Sequence, residues 1–227
     1  MISFLIPYYG NDSYRKAAFE FVRDGLKEDW PSEEHLSGGS FRHSSSNSRA
    51  ECRNRLATLA KGDVFVFVDA DTYVPFAQIK DGVEVARHFG WSLPYETYYS
   101  LTAESTERFL NNDDKSLDFE FEFPGPDPID RPPAVGGCII VTRDAFETVN
   151  GYDDGFVGWG FEDRAFAASL WTLVHSLMVR VPGYVYHLWH PAVRFEQPNL
   201  QRSRERWAAY QAAVGAPEKM RALVSRH

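Results

Sequence analysis

The segment Asp63-Val64-Phe65-Val66-Phe67-Val68, followed at once by Asp69-Ala70-Asp71, constrains this chain more than any other stretch. A continuous run of β-branched and aromatic residues leaves no polar face, so the strand it forms must be covered on both sides, as in the centre of a largely parallel sheet. Open sheets of that kind bind ligands outside the carboxyl ends of their strands. Asp69 and Asp71 therefore arrive where a ligand would sit. One residue apart, they offer hard oxygen ligands to a divalent cation, and a cation there would neutralise a diphosphate. An isolated Asp-X-Asp more often just ends a strand in a turn, so its meaning depends on the rest of the chain.

The surrounding pattern alternates strands with helices. Ile2 to Pro7 is a compact apolar run stopped by proline, a short buried strand whose end at Pro7 should open into a site loop. Asn11, Asp12 and Ser13 offer capping oxygens, and Ala18, Phe19, Val22 and Leu26 recur at helical spacing until Trp30-Pro31. From Ser32 to Ser48 the chain is rich in Ser, Gly, Asn and His, an irregular loop with room for a short edge strand. Ser48 to Glu51 has capping-box spacing, with Cys52, Leu56, Leu59 and Ala60 as the apolar stripe of a helix closed by Gly62. A further helix is expected from Pro75 to Phe89, then a strand-and-loop pattern from Trp91 to Leu101. Asp118 to Phe123 alternates strictly and reads as an exposed strand or a lid.

The second half begins with a glycine-led strand, Gly136 to Val141, a short helix from Thr142 to Val149 and a turn at Asn150-Gly151. Adjacent Gly136 and Gly137 permit close backbone approach to a ligand. Glu162 opens a helix with Phe166, Leu170, Leu173, Val174 and Leu177 on one face, Val179 to Trp189 reads as strand around Pro182-Gly183, and Asn199 to Val214 is a charged helix. No repeat or linker divides the 227 residues. The expected fold is α/β, a doubly wound, mostly parallel sheet in a single domain over 1–227.

Two further groups carry chemistry. His187 and His190 lie near a strand end, where imidazole would complete a site begun by the Asp pair; a mixed oxygen and nitrogen site suits Mn better than Mg. Gly158-Trp159-Gly160-Phe161-Glu162-Asp163 joins a flat indole, flexible glycines and two acids at a helix start. A sugar ring can lie on such an indole while a carboxylate takes the proton of an attacking hydroxyl.

In this order, the Asp-Ala-Asp segment, the Gly136-Gly137 to Tyr152 stretch and the Gly158 to Asp163 motif resemble GT-A glycosyltransferases. The resemblance is to family-2-like enzymes whose C-terminal region is similar to that of β-1,4-galactosyltransferases and chondroitin-type polymerases. It implies a Rossmann-like GT-A fold, with a nucleotide-sugar and metal half over 1–75 and an acceptor-facing catalytic half over 134–195. It further implies that Asp71 binds metal with His187 or His190, and that Asp69 holds the donor's ribose or the metal shell. Pro7 and Arg53 would border the donor, Gly136 and Gly137 the transferred sugar, and Trp159 would stack on a sugar. Asp163 would be the general base and Glu162 a holder of hydroxyls. Mn2+, with Mg2+ as the other option, and a UDP-sugar donor follow from the same resemblance, as does inverting transfer to an acceptor hydroxyl. Phe161 stands where the galactosyltransferases have another glycine.

Acidic residues exceed basic ones by eight, which disfavours general nucleic-acid binding. Two cysteines, Cys52 and Cys138, sit within predicted elements and fit a reducing cytoplasm. No apolar run approaches the roughly 20 residues of a membrane span. A sugar nucleotidyltransferase would need a glycine-rich loop after the first strand, and a non-catalytic sugar-binding protein would not need Asp163; these are the alternatives to transfer. The arginines of the Arg49 to Arg55 helix either approach the diphosphate or, as helix arginines usually do, pair in solvent.

Overall fold

The computed structural model describes residues 1–8, 12–38, 48–112, 134–157, 160–174, 179–191 and 197–226. Its main sheet has five strands: β1 (Ile2–Pro7), β2 (Glu34–Gly38), β3 (Val64–Val68), β5 (Trp91–Ser92) and β7 (Cys138–Thr142), in the order β2-β1-β3-β7-β5. β2, β1 and β3 are mutually parallel, β7 runs antiparallel to β3, and β5 antiparallel to β7. All but β7 thus point one way, the mostly parallel arrangement expected.

Side-chain alternation on β3 shows why its sequence is apolar throughout. Val64, Val66 and Val68 face α1 (Ser13–Asp29) and α3 (Phe76–Phe89), whose Ala18, Phe19, Val22, Ile79 and Val83 complete that core. Phe65 and Phe67 face the opposite layer, built from α2 (Arg49–Leu59), α5 (Arg143–Thr148) and α6 (Glu162–Leu173) through Cys52, Leu56, Ala145, Phe166 and Leu170. Helices on both faces make the sheet doubly wound. A third apolar cluster covers the outer side of α6 with α7 (Gln197–Ala213) and α8 (Pro217–Val224), through Ala165, Ala168, Tyr210, Met220 and Val224.

A second sheet of three strands, in the order β4-β8-β6, comprises β4 (Thr72–Tyr73), β6 (Thr97–Ser100) and β8 (Tyr184–His187). The Trp91 to Leu101 stretch therefore divides between two sheets, with α4 (Ala103–Leu110) following it. Val179 to Trp189 is a strand only over Tyr184–His187.

Local signals hold at the helix starts. Asp12 caps α1 by accepting from the Arg15 amide at 2.8 Å, and Ser48 caps α2 by accepting from the Glu51 amide at 3.2 Å. Gly62 does not close α2, which ends at Leu59 with Ala60 as its cap. Its smallness serves another need: a Cβ there would lie 2.5 Å from Ser3 Oγ and 2.7 Å from the Met1 carbonyl oxygen. Both cysteines are buried and neither forms a disulfide; the Cys52 thiol donates to the Gly38 carbonyl at 2.6 Å. No helix among the described residues is long and apolar enough to cross a membrane. The Asp118 to Phe123 segment and Leu177 lie outside the described residues.

Candidate active site

The register of the small sheet assembles the first half of the site. β4 pairs antiparallel with β8, Thr72 opposite His187, and the Leu188 amide donates to the Asp71 carbonyl at 2.7 Å. This pairing fixes Asp71, just before β4, against the end of β8. Thr106 of α4 accepts from the Trp189 amide at 2.8 Å and so holds the segment that carries His190. As a result Asp71, His187 and His190 converge, their ligand atoms all within 4.8 Å of one another. His190 Nε2 lies 3.3 Å and His187 Nε2 3.7 Å from the Asp71 carboxylate oxygens. Both histidines, and not one of them, face Asp71.

Charge is balanced unevenly within this triad. Burial alone would raise the Asp71 carboxyl, but His187, His190 and nearby Arg49 hold it well below the usual carboxylate range. Burial lowers the His187 imidazole, whereas the hydrogen bond to Asp71 raises that of His190. One oxygen and two nitrogen donors, with two of the three residues partly exposed, form a donor set that fits Mn2+ better than Mg2+ and is short of a full coordination shell. A metal-ligating histidine normally donates its other ring N–H to a carbonyl, and the Pro191 carbonyl oxygen lies 3.0 Å from His190 Nδ1.

The other acid of the Asp-Ala-Asp turn goes elsewhere. Asp69 Oδ1 meets Arg53 Nη2 at 2.6 Å, and the same buried guanidinium lies 3.0 Å from Asp163 Oδ1 and 3.6 Å from Glu162 Oε1. Arg53 is 2% exposed and sits over the Tyr152 ring at 4.9 Å. It is therefore no solvent-paired helix arginine: it draws three carboxylates from two distant parts of the chain to one point. The adjacent Asn54 fixes the geometry, donating to the Tyr152 carbonyl at 2.7 Å and accepting from the Tyr152 amide at 2.8 Å. Burial pushes the Asp163 carboxyl up to about 7; Arg53 opposes the shift, and Glu162 and Asp69 add to it.

Gly136 and Gly137 are needed for approach within the protein. A Cβ on Gly136 would lie 2.8 Å from Asp163 Oδ2, and one on Gly137, where φ is +83°, would lie 2.9 Å from the Tyr98 ring. The Gly137 carbonyl accepts from the Asp69 amide at 2.8 Å, so this turn joins the Asp-Ala-Asp loop to Asp163. Tyr95 Oη donates to the Gly136 carbonyl on its other side.

Phe161 caps α6 in the left-handed region, φ +73° and ψ −12°. This is a conformation glycine adopts without strain and a phenylalanine rarely does. Here the Phe161 ring stacks on Trp207 of α7, centroids 6.3 Å apart. Glu162 accepts from the Gly160 amide at 3.0 Å. Pro7 ends β1 beside β2, paired with Gly38, at the same carboxyl edge of the sheet as the end of β3. Trp159 lies outside the described residues.

Sequence reasoning missed Arg15 on the first turn of α1. Its Nη2 lies 2.9 Å from His190 Nδ1 and its Nη1 3.8 Å from Asp71 Oδ2. A charged residue beside a capping Asp reads as a solvated helix start, and only the long-range pairing of β4 with β8 brings His190 to it.

A mostly parallel sheet with helices on both faces and a small second sheet beside it is the GT-A fold of glycosyltransferases. Solved structures agree over nearly the whole chain. S. aureus TarS 1–349 in complex with UDP-GlcNAc is 11% identical with a TM-score of 0.56, covering 98% of this chain and 70% of that one. Mycobacterium tuberculosis glucosyl-3-phosphoglycerate synthase, in complex with Mn2+, UDP-Glc and phosphoglyceric acid, is 11% identical with a TM-score of 0.52, covering 94% and 79%. More particularly, residues 127–191, which hold β7, Asp163 and both histidines, match the family model described as the N-terminal domain of galactosyltransferase. A Caenorhabditis elegans protein, probable N-acetylgalactosaminyltransferase 6, is 24% identical over 141 residues, 57% of this chain and 21% of that relative. The match thus spans about a fifth of that relative's length.

Proposed function

We propose that this chain is an inverting, metal-dependent glycosyltransferase that moves a sugar from a UDP-sugar to an acceptor hydroxyl. The observation that carries the reading is the parting of the two acids of one turn. Asp71 joins His187 and His190, while Asp69 is tied through Arg53 to Asp163. A donor held at that turn would place its phosphates toward the histidine side and its sugar toward Asp163. Asp71, His187 and His190 would hold Mn2+, which when bound supplies positive charge against the leaving diphosphate.

The protein's own groups do the rest. Asp163, partly exposed and linked to a buried guanidinium, accepts the acceptor's hydroxyl proton; the freed oxygen forms the new bond to the anomeric carbon as the bond to the diphosphate breaks. Attack from the face opposite the departing phosphate inverts the centre. Arg53, held in turn by Glu162 and Asp69, fixes Asp163 in orientation, and Asp69 would hold the donor's ribose or the metal shell. Support for the donor class comes from the two fold neighbours, one solved with UDP-GlcNAc and the other with Mn2+ and UDP-Glc. Support for a carbohydrate product comes from the galactosyltransferase match over 127–191.

The test is a thermal-shift panel of UDP-, GDP-, ADP- and dTDP-sugars with Mn2+, with Mg2+ and with chelator. Binding to the native state raises the melting temperature. Stabilisation by UDP-sugars that needs Mn2+ is the expected result. Equal stabilisation in chelator would remove the metal from the proposal, and no shift with any donor would overturn it.

A further inference from the structure

Arg15 has no part in the transfer just described, yet it is built into the metal-side cluster. Its side chain is 17% exposed, and its guanidinium touches Asp12 through Nε at 3.4 Å, Asp71 Oδ2 through Nη1 at 3.8 Å and His190 Nδ1 through Nη2 at 2.9 Å. A guanidinium only donates hydrogen bonds, so its contact with Nδ1 needs the lone pair of that nitrogen. In a neutral ring the proton then sits on Nε2, the atom that faces Asp71 at 3.3 Å. The Pro191 carbonyl oxygen, 3.0 Å from the same Nδ1, only accepts and requires the opposite arrangement, with the Nε2 lone pair free.

The two contacts exclude each other and define two states of His190. With Arg15 docked, the Nε2 proton fills the space between ring and carboxylate, and the arginine supplies Asp71 with a positive neighbour. With Pro191 engaged, Nε2 can coordinate, but a metal ion and the guanidinium would then share Asp71 as like charges.

We propose that Arg15 is an internal stand-in for the divalent cation: docked on His190 and Asp71 it keeps the cluster closed, and it leaves when a nucleoside diphosphate offers it a new partner. The inference rests on the metal and donor reading above. The planar fork of a guanidinium binds two oxygens of a phosphate at once, so the diphosphate is the natural acceptor of the displaced fork. Metal and donor then enter as a pair, each raising the other's affinity by the same factor.

The experiment measures Mn2+ binding, by the EPR signal of the free ion, to wild type, Arg15→Met and Arg15→Ala, each with and without UDP. Circular dichroism melts identify which variants are folded. In parallel, imidazole nitrogen shifts of metal-free protein, followed to higher pH until they stop changing, report the tautomer of the neutral His190 ring. The variants are expected to bind Mn2+ alone about tenfold more tightly than wild type, the size of effect that removing a like charge at this range allows. The gain on adding UDP should fall several-fold. His190 should shift from the Nε2–H to the Nδ1–H tautomer. Variants that bind Mn2+ no more tightly than wild type, or an unchanged tautomer, would overturn the stand-in role alone. No Mn2+ binding by any form even with UDP would overturn it together with the metal reading.

Discussion

In the proposed transfer Asp163 is a base that is largely shielded yet still open to solvent, its side chain 19% exposed. Burial pushes it up to about 7, and the Arg53 guanidinium 3.0 Å away limits the rise. The acting form of a base is the deprotonated one, so kcat/KM should climb with pH through a single limb near 7 and level off above it. Removing Arg53 removes the opposite charge that favours ionisation, so Arg53→Met should move that limb to higher pH, and Arg53→Lys should restore part of the shift. A limb that stays put in Arg53→Met would show that the guanidinium does not act on Asp163. Asp163→Asn should lower transfer by about 10²-fold or more while UDP binding, read by calorimetry, stays nearly intact. Loss of UDP binding in that variant would remove Asp163 from the role of base.

Among the elements, those with a strong period were legible and those defined by pairing were not. β1, β3 and β7 announce themselves as apolar runs, α1 and α2 as helical patterns opened by capping residues, and α6 as an apolar stripe. β4 is two residues long and β6 is Thr-Tyr-Tyr-Ser, so neither carries a period to read, and α4 and α8 are single short helices of eight residues each. The site divides along the same line. The acids of the Asp-Ala-Asp turn and of Glu162-Asp163 follow from strand and helix ends, but which acid meets which partner depends on Thr72 pairing with His187, a choice made 115 residues apart in the chain and invisible locally. Arg53 was the sharpest case, since a helix arginine with polar neighbours in sequence looks solvated until the fold buries it. At this scale Gly137→Ala is the informative change. Its φ of +83° and the 2.9 Å approach of the Tyr98 ring should together cost about 1–3 kcal/mol, seen as a lower melting temperature. An unchanged melting temperature would show that the turn joining Asp69 to β7 yields to the added methyl without cost.

The whole molecule is a doubly wound sheet with an additional pair of helices, α7 and α8, laid over α6. Their attachment is partly ionic: Arg206 of α7 grips Asp153 with two bonds of 2.6 Å, and Tyr210 donates to the same carboxylate at 2.9 Å. Burial raises the Asp153 carboxyl, but Arg206 and the bound N–H and O–H donors outweigh it and hold the group below its ordinary value. A carboxyl depressed in the folded state adds stability above its unfolded value near 4, and that stability is lost as pH falls through the folded value. Arg206→Met should therefore cost about 1–3 kcal/mol at neutral pH, a figure reduced because the arginine is more than a third exposed. The difference from wild type should narrow below pH 4 in urea melts, and a gap of constant size would show that the ion pair is not its source.

A single guanidinium, that of Arg53, serves Asp69, Glu162 and Asp163 at once. These four positions cannot then drift singly. Replacing the arginine strands three acids against one another, and replacing an acid leaves a buried cation with less to hold. A change at one of the four should therefore be tolerated only with a compensating change at a second, so the quartet should mutate as a block.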